Sequence, residues 1–180
     1  MRTITGTLRP TPLPWLPVLS NIAPPHIRRE EATARLVEKI RTNPALPLYM
    51  DLFSPPRTRL SSRRPVWITP QTKVTWNDEW SNAAVTNSFL IADPSTIVPG
   101  SDLPRRLWTQ LNRFRTGQGL CAANLHTWGL RDSPLCECGL RQTMSHIVDD
   151  CPLTKFSGGL RALHTADDAA IVWLGKSGKR

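Results

Sequence analysis

The chain has 180 residues, enough for one domain or for a domain with a tail. Its 23 basic residues outnumber 14 acidic ones, for a net charge of +9 and a pI near 10.3. This points to a polyanionic partner, with nucleic acid first and a generic basic surface as the alternative, and the lack of any run of about eighteen apolar residues excludes a spanning helix.

The early residues are rich in proline. A segment such as R-P-T-P-L-P-W-L-P-V, from Arg9 to Val18, cannot form an interior helix or a central strand. It predicts an extended, polyproline-like arm over residues 1–24. Residues 26–42 read as a helix. Pro24 and Pro25 precede it, Glu30 and Glu31 sit early, Lys39 and Arg41 sit late, and Ile27, Ala34, Val37 and Ile40 give a partial apolar stripe. Asn43-Pro44 ends it. Residues 1–64 therefore form a Pro-rich basic arm with one helix, closing on an exposed linker from Ser54 to Pro65.

Residues 65–100 hold a short Trp-containing helix within 75–89, with Trp76, Trp80 and Ala83 at helical spacing, and then a loop marked by Pro94 and Pro99-Gly100. Residues 102–117 give the clearest helix. Asp102 is its candidate N-cap, Leu103, Leu107, Leu111 and Phe114 line one face, and Gly117 is its candidate C-cap. A short helix runs from Leu120 to Trp128, with Cys121 as a packed core residue. A last helix covers 166–174, capped by Thr165, and residues 176–180 form a basic tail. Core packing is the expected role of most of the seven tryptophans, base stacking of the remainder.

Three of the four cysteines fall within C-E-C-G-L-R-Q-T-M-S-H-I-V-D-D-C, from Cys136 to Cys151. Cys136, Cys138, His146 and Cys151 form a C-x-C-x7-H-x4-C cluster. Zinc takes four N/S ligands in structural sites. Gly139 can give the knuckle a left-handed turn, and Thr143 can cap a short helix that carries His146. Two other readings stand beside the metal one: reduced core cysteines, or disulfides in a secreted domain. The close spacing of Cys136 and Cys138 disfavours disulfides. So does the lack of a signal-type apolar run at the N-terminus and of any N-x-[S/T] acceptor. An intracellular location, nuclear or cytoplasmic, is expected. The fold class predicted is mainly α: a small helical C-terminal module at 101–175 with a CCHC zinc knuckle at 136–151, preceded by the Pro-rich, partly extended N-terminal half.

Charge is segregated along the chain. Residues 1–29, 52–77 and 103–131 carry arginines or lysines and no carboxylate. The last window supplies Arg105, Arg106, Arg113, Arg115 and Arg131 as candidate phosphate contacts. The middle one supplies Arg57, Arg59, Arg63, Arg64 and Lys73.

The run L-N-R-F-R-T-G-Q-G-L-C-A-A-N-L-H-T-W-G-L-R-D-S-P-L-C-E-C-G from Leu111, followed by H-I-V-D-D-C-P from His146, resembles the C-terminal region of reverse transcriptases from non-LTR (LINE-type, jockey-like) retrotransposons. In that family a helical segment with an R-T-G-H/Q-G turn and a Cys-Cys-His-Cys knuckle follows the polymerase domain. The stretch T-P-L-P-W-L-P-V-L-S-N-I-A-P-P-H-I-R-R-E-E-A from Thr11 resembles the family's linker after the polymerase. Gln118 stands where many members have His. The resemblance spans about residues 1–175 and implies zinc ligation by Cys136, Cys138, His146 and Cys151. It also implies binding of element RNA or target DNA, alongside the rest of the reverse transcriptase.

Catalysis is not expected of this chain. A polymerase of this class needs an aspartate pair on a hairpin and a third aspartate for two metal ions. Asp149-Asp150 lies between two candidate zinc ligands, and Asp167-Asp168 opens a helix, where capping explains it better. No endonuclease constellation is present. Gly175-Lys176-Ser177 has the end of a phosphate loop without its earlier glycine. The alternative reading is a zinc-stapled protein–protein interaction module from a domesticated element.

Overall fold

The computed structural model describes residues 1–53 and 75–177. The linker from Ser54, with Arg57, Arg59, Arg63, Arg64, Trp67 and Lys73, lies outside the described residues, as do residues 178–180 of the tail. The described chain is mainly helical, as expected. Its elements are α1 (Arg2–Thr5), α2 (Trp15–Ser20), α3 (Pro25–Arg41), α4 (Leu48–Phe53), α5 (Trp76–Asn82), α6 (Arg105–Thr116), α7 (Ala122–Thr127), α8 (Gly159–His164) and α9 (Asp168–Ser177). A 3-10 turn covers Ser88–Leu90 and a π turn covers His146–Asp150. Among the described residues the sole extended pairing is one bridge, Leu135 with Arg141. No described helix is long and apolar enough to cross a membrane.

The chain divides into two compact units, Met1–Ile22 with Asn77–Arg180, and Ala23–Trp76. The second unit is built on α3. Pro25 occupies its first turn, where a missing N–H costs nothing. Ile27 and Ile40 are buried, whereas Ala34 of the expected stripe is exposed. Arg41 pairs with Glu38 at 2.6 Å on the exposed side. Helix α4 brings Tyr49 and Phe53 together at 5.2 Å.

The first unit corrects the expected extended arm. Residues 1–22 fold back as α1 and α2, and Trp15 is fully buried. Pro14 sits at the N-cap of α2 and Pro17 in its first turn. The amides of a first turn have no intrahelical acceptor, so proline removes nothing there. Trp15 meets Trp80 edge to face at 4.9 Å. Each indole N–H finds a carbonyl, Trp15 on Thr86 at 3.1 Å and Trp80 on Ile91 at 2.9 Å. The predicted helix over 75–89 stops at Asn82, because Ala84 and Asn87 adopt left-handed backbone.

The main core of this unit gathers Leu111 and Phe114 of α6, Met144 and Val148 around the π turn, Leu160 and Leu163 of α8, and Ala170 and Leu174 of α9. Cys121 packs into it as expected. Helix α6 starts at Arg105, not at Asp102. Pro104 occupies the N-cap, and the residue before a proline avoids helical backbone. Asp102 remains exposed and caps nothing. The other end matches expectation: Gly117 is left-handed at φ 66°, and its N–H reaches the Phe114 carbonyl. Asn87 Nδ2 adds a bond to the Arg115 carbonyl at 3.0 Å. Helix α8 was not predicted. The cap of α9 is Asp167, whose Oδ1 accepts from the Ala170 N–H at 2.8 Å, while Thr165 instead closes α8.

Candidate metal centre

The centre is assembled from two short devices. The first is a tight turn. The Cys136 N–H donates to Leu140 O at 2.7 Å, and the Gly139 N–H donates to Cys136 O at 2.9 Å. Gly139 sits at φ 87°, a conformation that would strain any residue with a Cβ. Cys136 and Cys138 therefore project from one small loop.

The second device is the π turn. Thr143 Oγ1 accepts from the His146 N–H at 3.0 Å, the cap predicted from sequence. The Cys151 N–H then closes on His146 O at 2.8 Å. A ligand pair five residues apart would diverge on an α-helix of 3.6 residues per turn. One i→i+5 closure turns the chain once over that spacing and returns His146 and Cys151 to the same side.

Together the devices place all four ligand atoms within 4.8 Å of one another. Cys136 Sγ lies 3.7 Å from Cys151 Sγ, and Cys138 Sγ lies 3.2 Å from His146 Nε2. A sulfur pair in a disulfide would be about 2.05 Å apart, and all four cysteines are free thiols. In a tetrahedron with metal–sulfur bonds of about 2.3 Å the sulfurs stand about 3.8 Å apart. The donor set and spacing thus fit a four-coordinate N/S site for a metal ion. Cys136, His146 and Cys151 are buried and Cys138 is half-buried, which leaves little room for a reacting water.

The thiols are not equivalent. Burial works against ionisation of Cys151. The Thr154 hydroxyl, the Leu153 amide and the neighbouring Cys136 and Cys138 thiols outweigh it and bring Cys151 down to about 6. At Cys138 a Leu140 amide favours the thiolate, but burial and the other two sulfurs push it up. One proton thus leaves the cluster readily, as a metal ligand requires.

Gln142 is a supporting residue that sequence reasoning missed. Its Nε2 donates to Cys136 Sγ at 3.5 Å. Its Oε1 accepts from the Ala122 N–H at 2.8 Å, and its carbonyl accepts from the Ala123 N–H at 3.0 Å. It thus caps α7 and holds a ligand sulfur at once. Nothing local to residue 142 signals this, because α7 begins twenty residues earlier. Asp149 has a comparable task. Its Oδ1 accepts from the Leu160 N–H at 2.8 Å, so it caps α8. Both aspartate pairs of the sequence therefore contribute a helix cap.

The five candidate phosphate contacts separate in the structure. Arg106 and Arg131 are exposed. Arg105 is exposed too, and its guanidinium donates to the Thr3 and Ile4 carbonyls at the end of α1. Arg113 is half-buried, and burial lowers its pKa. Arg115 must be withdrawn from the list, since it is fully buried. Its Nε donates to His164 Nδ1 at 3.0 Å, and Nη1 to Asn112 Oδ1 at 3.0 Å. Nη2 donates to the Pro99 and His164 carbonyls at 2.6 and 3.0 Å. Its carbon Cζ lies 5.5 Å from the Trp108 ring centroid. Burial pulls Arg115 down to about 9, so it remains a cation at neutral pH. A signal was available: Arg115 stands four residues after Leu111 and seven after Trp108, on the buried face of α6.

No family model matches the chain, and neither a curated protein nor a solved structure is similar to it.

Proposed function

We propose that this chain is a zinc-stapled nucleic-acid-binding module, corresponding to the C-terminal part of a non-LTR reverse transcriptase polyprotein. The observation that carries the zinc reading is the convergence of Cys136, Cys138, His146 and Cys151 ligand atoms within 4.8 Å. Two thiolates from a turn and a His and Cys from a π turn leave no open position, which suits a structural ion. The polyanion reading rests on the acid-free window at 103–131 and on the exposure of Arg105, Arg106 and Arg131 there. Guanidinium groups match phosphate bidentately. One carboxylate of each aspartate pair, Asp149 and Asp167, caps a helix, which supports a binding role over a polymerase one.

Fluorescence anisotropy across a salt series tests this with labelled RNA and DNA. Each phosphate contact releases counterions, so log affinity should fall linearly with log salt, by about 0.7 per contact on single strands or 0.9 on duplex. Replacing both Arg106 and Arg131 by Gln should weaken binding to all sequences alike and flatten the slope by about one to two units. An unchanged slope would assign these arginines to the solvated surface and favour the protein-interaction module.

A further inference from the structure

A cleft of about 690 Å3 opens beside the metal centre, with Cys136 and Gln142 in its wall. Its apolar lining includes Leu120, Leu125, Ile147, Leu153 and Trp173. Leu120 and Leu153 are 60% and 55% exposed, a large apolar display for side chains that share one depression. Arg131, Lys155 and Lys176 also line the cleft and are exposed, and Glu137 is the single carboxylate among the lining residues. The cleft thus offers aliphatic contact surface beside three cations.

We propose that this cleft docks an acidic amphipathic segment of a partner protein. Apolar side chains of that segment would cover Leu120 and Leu153, and its carboxylates would face Arg131, Lys155 and Lys176. Helices that lay an apolar face into a groove use this division of labour. Complementary charge adds on-rate and orientation. Nucleic acid is the poorer occupant. Base-stacking channels depend on aromatic faces, and Trp173 is the only aromatic residue among the described residues of the lining. Its indole N–H donates to Thr154 O at 2.8 Å, and its ring packs on Phe114 and Phe156 at 5.2 and 5.7 Å. The other apolar side chains of the lining, Leu120, Leu125, Ile147, Pro152 and Leu153, offer no face on which a base could stack.

The proposal shares Cys136 and Gln142 with the metal centre and Arg131 with the proposed phosphate contacts, so its test uses Leu153 and Lys155, which belong to the cleft alone. A displayed random peptide library, selected on the zinc-loaded full chain, tests it. The selected peptides should combine Leu, Ile or Phe at helical spacing with Asp or Glu. Leu153→Glu should weaken their binding at least tenfold, Lys155→Glu severalfold, and Arg106→Glu, outside the cleft, not at all. Both cleft positions are exposed, so the variants should fold, and helix content and bound zinc are checked on the same samples. Failure to enrich acidic peptides, or binding indifferent to Leu153→Glu, would overturn the proposal. So would a single-stranded oligonucleotide that displaces the peptide and itself depends on Leu153. Self-association that Leu153→Glu abolishes would give the cleft to a second copy and overturn it equally. A metal-free protein would undo the zinc reading instead, and an unchanged salt slope the polyanion reading.

Discussion

At the candidate metal centre, four potential ligand atoms come together from the sixteen residues between Cys136 and Cys151. At the Trp15–Trp80 corner, two indoles meet at 4.9 Å from opposite ends of a long excursion through the second unit. The first is a local device whose strength would come from metal–ligand bonds. The second is held by apolar burial and by two indole N–H bonds to the Thr86 and Ile91 carbonyls. The two should therefore respond to different insults.

Metal removal should have the largest effect. Apparent binding energies of structural zinc in finger peptides are about 10–16 kcal/mol, and that energy is folding energy. The purified full chain should carry one zinc by elemental analysis. Chelation or Cys138→Ser should cost much of the helix signal and loosen the packing of Val148 and Leu160. Metal-free protein with unchanged circular dichroism would remove zinc from the account. Trp15→Ala should act the other way: a loss of about 3–5 kcal/mol in denaturant unfolding, with zinc content unchanged. Zinc lost along with Trp15 would show that the local device depends on the distant one.

Arg115→Met should fall in the same range as Trp15→Ala. It strands the Pro99 and His164 carbonyls, His164 Nδ1 and Asn112 Oδ1 inside the protein. Each buried acceptor left without its donor costs about 1–3 kcal/mol, so several together reach that range. Arg106→Gln on the same helix should leave stability within about 0.5 kcal/mol. Equal unfolding midpoints for the two variants would contradict the burial of Arg115.

Sequence distance also decides what could be read in advance. Helices α3, α6 and α7 were legible from their own residues, although Asp102 gave α6 a false start, and the cysteine spacing carries the candidate ligand set. Each depends on residues within a turn or two. Helix α2 was hidden because its prolines read as an extended arm, although Pro14 and Pro17 occupy the positions where a helix tolerates them. Helix α8 was hidden because its cap, Asp149, comes from the π turn rather than from the residues just before Gly159. The Trp15–Trp80 contact has no local signal at all. Arg115 is a different case. The spacing that places Leu111 and Trp108 on the buried face places Arg115 there too, but its charge drew it into the list of phosphate contacts.

The smallest expected effect is a pH dependence at His164. Burial first, and then the Arg115 charge, push its pKa from 6.5 to about 4. Its Nδ1 is the acceptor for Arg115 Nε, so the ring must be neutral in the fold. Protonation would set two cations against each other with one fewer acceptor. A base with a lowered folded pKa binds its proton more readily when unfolded. Its contribution is therefore complete above pH 6.5 and is lost as the pH falls toward 4, with no further loss below that. The ring is half-buried, so solvent screening reduces the effect to about 1–2 kcal/mol. Metal affinity at a Cys/His site also falls with acid, so wild type alone cannot report on His164. His164→Gln keeps a side-chain acceptor near Arg115 and removes the titration. Denaturant unfolding of both proteins between pH 7.5 and 4 should show the variant less stable at neutral pH, with the gap narrowing through this window. Parallel curves would mean that His164 keeps an ordinary pKa and that its contact with Arg115 does not set the proton.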